Sequence, residues 1–178
     1  MDALTVAGKY VAICRDKEGN VLWSEEFDNL LTQTGKAMLL DQGLAGSSYT
    51  AAEYLGLISS TSYTGVSGGD TPASHSGWLE AGGANAPTYS GTRQTCAWSA
   101  ATTSGASAYS ATKALSAGLS FTFTGSGTVQ GAFIVGGSGA NATVGNTGGI
   151  MYSAGAFATP QAVVSSNVLT VTYQTTLT

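Results

Sequence analysis

His75 is the only histidine in the chain, five residues beyond Asp70 in Gly69-Asp-Thr-Pro-Ala-Ser-His-Ser-Gly-Trp78. A histidine, a carboxylate and nearby serines are the ingredients of a nucleophilic triad, in which an acid orients the imidazole that deprotonates a hydroxyl. No Gly-x-Ser-x-Gly elbow follows a strand, and serine is too abundant here to single one out. His75 therefore reads as a turn residue bonded to backbone or solvent. Asp70 and Glu80 are the only acids beyond Glu53. Two carboxylates are what glycoside hydrolysis needs, but such clefts also gather further acids and aromatics. Here most acids lie at the other end of the chain.

Metal ligation fails on spacing. One histidine and two distant cysteines, Cys14 and Cys96, give no short-spaced ligand pair for zinc. Glu25, Glu26 and Asp28 lack the spacing of a calcium loop and read as a solvated strand end. The glycine-rich runs Gly136–Gly139 and Gly145–Gly149 have no lysine and no helix to follow them, so they read as turns rather than phosphate loops. Trp78, Trp98, Tyr89 and Tyr109 have the chemistry of a sugar-stacking platform, against which stands the commoner use of aromatics in cores and interfaces. No catalytic, cofactor-binding or metal-binding residue is assigned on this reading, and no enzyme activity or cofactor is expected.

The elements that would carry these residues are mostly strands. Val21–Phe27 and Gly8–Arg15, around the polar loop Asp16–Asn20, read as a β-hairpin. Asn29–Asp41 is the best helix candidate, with Thr32 or Thr34 as cap and Gly43 and Gly46 as stop signals. Tyr54–Ile58, Tyr89–Trp98, Thr112–Leu115, Leu119–Thr124, Thr128–Val135, Ile150–Ala154 and Asn167–Thr175 read as strands. Leu119–Thr124 and Asn167–Thr175 alternate apolar and hydroxyl residues, one face in and one face out. Ser59–Pro87 is a long loop in which Asp70 and Pro72 suggest one capped helical turn. Seven to nine strands with one N-terminal helix predict a mainly β fold, an antiparallel β-sandwich or jelly-roll-like barrel. The expected organisation is a single domain over 1–178, with an acidic hairpin plus helix in 1–53 and a charge-poor β core in 54–178.

Charge is unevenly spread. Only 9% of the residues are charged, against about 25% in a typical soluble domain. The net charge of −4 falls within residues 1–53, and from Ala114 to Thr178 there is no Asp, Glu, Lys, Arg or His. A hydroxyl-coated, charge-free face is cheap to desolvate, so it suits burial against another protein. There is no basic patch, so direct nucleic-acid binding is not expected. No apolar run reaches membrane-spanning length, and Met1–Val6 does not read as a signal peptide, so neither membrane insertion nor secretion is expected. Cys14 and Cys96 read as two buried free thiols rather than a bridge.

Read in order, Tyr10–Cys14, Gly19–Trp23, Asp28–Lys36, Leu44–Ala51, Tyr54–Ile58, Gly69–Trp78, Val129–Phe133 and Leu169–Tyr173 resemble small structural proteins of tailed bacteriophages. The resemblance covers nearly the whole chain, and its most distinctive string is Asp70-Thr-Pro-Ala-Ser-His-Ser-Gly-Trp78. It implies a non-enzymatic virion component, a head cement or decoration protein with a β-sandwich or jelly-roll core, assembled in the host cytoplasm. The implied partners are the major capsid protein or another virion protein, and further copies of the chain in a homo-oligomer. A tail or tail-fibre component is the alternative, and a carbohydrate-binding β-sandwich module a weaker one. The hairpin, the 59–87 loop and the C-terminal strands are the expected contact elements.

Overall fold

A computed structural model describes residues 5–44, 52–104 and 110–178. Gly46 and Tyr109, named above as a helix stop and a stacking aromatic, lie outside them. The chain runs β1 (Val6–Arg15), β2 (Val21–Asp28), β3 (Leu30–Leu31), α1 (Gln33–Leu44), β4 (Tyr54–Ser59), β5 (Leu79–Glu80), β6 (Gln94–Thr95), β7 (Thr102–Ser104), β8 (Ser110–Ala114), β9 (Leu119–Thr122), β10 (Gly127–Gly136), β11 (Ile150–Val163) and β12 (Val168–Leu177). These form two antiparallel sheets. The first has the order β2-β1-β12-β8-β7, with β9 also on β12; the second has the order β3-β11-β10-β4-β5, with β6 also on β4. The fold is an antiparallel β-sandwich with one helix.

Alternation explains the first sheet. Tyr10, Ala12 and Cys14 on β1 and Leu169, Val171 and Tyr173 on β12 are buried, while the residues between them are half-buried or exposed. β1 and β12 pair over ten residues, so the N-terminal hairpin is joined to the C-terminal strand rather than set apart. The inward residues meet those of the second sheet, including Leu55, Leu57, Ala132, Ile134, Tyr152 and Phe157. A buried hydrogen bond of 2.7 Å between the Tyr10 hydroxyl and Ser153 Oγ crosses this core from β1 to β11.

The second sheet is covered on both faces. β4 and β10 are buried almost throughout and so do not alternate. Their outer side carries a second cluster of Ile58, Phe133, Val135, Met151 and Ala154 beneath Trp78. Helix α1 lies over β11. Thr32 caps it, its hydroxyl accepting the Gly35 N–H at 2.9 Å and donating to the Met151 carbonyl. Gly35 allows the approach, because a Cβ there would collide with the Tyr152 carbonyl.

The open sides of the sandwich are laced by side chains and one crossing segment. On one side the Trp23 indole donates to the Ala162 carbonyl at 3.1 Å, and the Gln161 amide donates to Glu25 at 2.7 Å. On the other, residues 89–98 touch the first sheet at Tyr89↔Phe123, join the second as β6, and return at Trp98↔Leu115. The Tyr89–Trp98 stretch is therefore not the continuous strand that its sequence suggests. Leu30–Leu31, expected inside the helix, instead pair with β11. β11 runs on to Val163, past the expected end at Ala154; its pairing with β10 skips from Ala156 to Gln161, and Pro160 sits in that unpaired stretch.

Candidate interaction face

Asp70, Glu80 and both cysteines are built into the interior, and His75 is half-buried. Trp78 is 1% exposed and donates its indole N–H to Asp70 Oδ2 at 2.8 Å, and the same oxygen accepts the Ser67 N–H at 2.9 Å. His75 stacks on Trp78 with ring centroids 4.0 Å apart, and its Nδ1 lies 2.9 Å from the Trp78 carbonyl. Asp70 thus ties a loop onto an indole and caps no helix; the segment after it is a tight turn closed between Thr71 and Ser74. Asp70 and His75 both serve Trp78, from opposite ends of one short arch.

Glu80 has a different partner. Arg93 donates Nε and Nη2 to its two carboxylate oxygens at 2.8 and 2.7 Å, with both side chains buried. Glu80 Oε2 also accepts the Gly145 N–H at 2.7 Å, while Arg93 Nη2 donates to the Asn146 carbonyl at 3.0 Å. Phe133 lies between this guanidinium, 5.3 Å from its ring centre, and Trp78 at 5.0 Å. The arrangement pins the glycine-rich 136–149 loop and the 60–87 loop to the outer side of the second sheet. Asp70 and Glu80 share none of these hydrogen-bond partners.

Cys14 and Cys96 are both buried free thiols in the main core. Burial pushes Cys14 up to about 11, and it raises Cys96 further with help from the Glu53 carboxylate. Among the described residues no group of three or more His, Cys, Asp or Glu is placed to hold a metal ion, and no helix is long and apolar enough to cross a membrane. Of the aromatics considered for stacking, Trp78 and Tyr89 are core, and Trp98 lines an open cleft of about 110 Å³ with Glu53, Gln42, Lys113 and Tyr152. Its indole N–H donates to Glu53 Oε2 at 2.5 Å.

No protein-family model, curated protein or solved structure matches this chain.

Among the described residues, what remains open is the outer face of the first sheet. Strand register assembles it in rows: Ser24, Ile13, Thr170 and Ser120; Glu26, Val11 and Thr172; Asp28, Lys9, Gln174 and Ala114; Ala7, Thr176 and Thr112. Val11 and Ile13 are half-buried, and Thr172, Gln174, Ser120, Ser24 and Glu26 are exposed. The hydroxyls pair with one another, Ser120 with Thr170 at 3.0 Å and Thr112 with Thr176 at 2.9 Å. Its charges lie at the β1–β2 margin, where Lys9 Nζ sits 2.6 Å from Glu26. That contact raises the Lys9 pKa above its ordinary value. The hairpin and two of the C-terminal strands, β9 and β12, are thus combined in one surface, whereas β10 and β11 belong to the other sheet. The 59–87 loop lies on the opposite side of the molecule. The sequence shows which residues alternate; only register shows that the β-branched ones form one patch.

Proposed function

We propose that this chain is a non-enzymatic structural protein of a tailed-phage virion, of the head cement or decoration type, and that it joins neighbouring subunits through the outer face of its first sheet. The observation that carries the reading is the contrast between the two outer faces. One is covered by loops whose carboxylates are consumed in holding them down. The other is open among the described residues and dominated by β-branched and hydroxyl residues, with its charges confined to one margin. Neutral, internally hydrogen-bonded hydroxyls cost little to desolvate. Stiff β-branched side chains also lose little rotamer entropy on contact. A lattice repeats a modest contact many times and gains avidity from it. The sequence resemblance supports the same reading. The test is to strip the protein from purified particles and compare their heat resistance. Particles that lose stability on stripping and regain it on re-addition support cement; unchanged particles refute it. Electron microscopy of labelled particles separates head from tail.

A second reading rests on Trp98. Its ring, with Glu53, Gln42 and Lys113, gives the cleft an aromatic wall and a polar rim, the composition of a small glycan subsite. Glycan-array binding abolished by Trp98→Ala would favour it; an array without binding would exclude it.

A further inference from the structure

We infer that the occupant of the open face is a second copy of this chain, packed sheet to sheet. The inference rests on reading that face as a contact surface, and it adds the identity of the partner.

Four observations lead to it. First, the face is electrically self-complementary. It carries Lys9 and Arg15 against Glu26 and Asp28, which sum to zero, although the whole chain is −4. A face built for a basic or acidic partner would itself carry net charge. One holding both signs can meet its own copy about a two-fold axis without bringing like charges together in excess.

Second, the anatomy is that of an interface. Val11, Ile13, Thr170 and Thr172 make a centre of β-branched residues, while Glu26, Asp28, Lys9 and Gln174 form a polar margin. Across β1, β12 and the end of β8 lies a depression of about 220 Å³ lined by Lys9, Val11, Glu26, Ala114, Thr172 and Gln174 among others. It gives the otherwise regular surface the relief that close packing needs.

Third, the area is sufficient. Strands of ten residues such as β1 and β12 span about 33 Å, and four strands side by side span about 19 Å, for a projected face of roughly 600 Å². Two such faces together give roughly 1,200 Å², the lower end of the range for specific, stable interfaces.

Fourth, strand addition is a poor route. β2 lies against β11 through Trp23 and Glu25, and the terminal strands β7 and β5 of the two sheets have three and two residues. Short or covered edges resist pairing with another chain. Association is left to the faces, and among the described residues only this one is open.

The test is sedimentation of the purified full chain across a dilution series, for wild type, Thr172→Lys and a control, Val164→Lys, at an exposed position outside the face. Wild type and control are expected to form the same dimer or closed oligomer. Thr172→Lys places an unpaired charge at the centre and should weaken association by roughly a hundredfold. A monomeric wild type overturns the inference, as does a Thr172→Lys oligomer as tight as wild type. A Thr172→Cys variant is the independent check, because both native thiols are buried. Its maleimide reactivity should fall about tenfold from dilute to concentrated protein; concentration-independent reactivity overturns the inference. A monomer that still binds stripped particles would remove the second copy while leaving the proposed function standing.

Discussion

Arg93 holds Glu80 through two parallel hydrogen bonds of 2.8 and 2.7 Å inside the protein, and Phe133 packs against the guanidinium. The pair links the end of the long loop to the glycine-rich 136–149 loop, so it fixes the covering layer of the second sheet. Removing one partner leaves the other charge buried without its counter-ion. Arg93→Met or Glu80→Leu alone should cost about 3–5 kcal/mol, while the double replacement by apolar side chains should cost clearly less. Thermal unfolding of the two singles and the double measures this. Equal losses in all three would show that the pair is not the determinant.

The Trp78 indole offers a second probe of that layer. Trp78→Phe keeps an aromatic ring beneath the loop but leaves Asp70 without one of its donors. A cost of about 2 kcal/mol is expected from the unsatisfied carboxylate. Trp78→Ala should cost about 3–5 kcal/mol, because a cavity is added. Denaturant titration checks both. A Trp78→Phe variant as stable as wild type would show that the Asp70 contact contributes nothing.

These two clusters mark the limit of what the sequence discloses. The alternation of Leu169-Thr-Val-Thr-Tyr173 reads directly as one face in and one face out, and the structure has it so. β4 and β10 are legible as strands, but nothing in them says what covers their second face. That cover comes from Trp78, delivered by a loop without regular structure. Asp70 and Pro72 look like a helix start because local preference favours one. Pairing Asp70 with a buried indole eight residues later outweighs that preference. The expected strand from Tyr89 to Trp98 fails for a similar reason, since the segment crosses between sheets and pairs with each only briefly. Long-range partners decided each case, and local periodicity does not encode them.

Helix docking depends on Thr32 and Gly35. Thr32→Ala removes the cap and the bond to the Met151 carbonyl, for an expected loss of about 1–2 kcal/mol, while Thr32→Ser should retain most of it. Gly35→Ala improves helix propensity by about 1 kcal/mol yet drives a methyl into the Tyr152 carbonyl. We expect it to be net destabilising. A stabilised Gly35→Ala protein in a thermal melt would show that α1 does not lie this close to β11.

Alkaline pH should unfold the protein. Cys14 is raised from 9.0 to about 11, and Tyr10, Tyr89 and Tyr173 are raised above their ordinary 10.0, with burial the leading cause in each. The folded state therefore keeps protons that the unfolded state releases. Stability is unaffected by these groups below about pH 9 and falls as pH rises from there through 11, where the unfolded chain binds fewer protons. Urea midpoints measured between pH 7 and 11 should decline only above 9. A flat profile would contradict the burial of these groups. Thiol reagents should likewise leave Cys14 and Cys96 untouched until the protein unfolds.

The central claim is that the chain is a virion component whose first-sheet outer face is buried against neighbours. A reconstruction of the intact particle, with the purified particle assayed for this protein, tests it most directly. Many regularly placed copies are expected on the head surface, with Val11, Ile13, Thr170 and Thr172 in contact with an adjoining subunit. Particles that lack the protein, or copies with that face turned to open solvent, would contradict it.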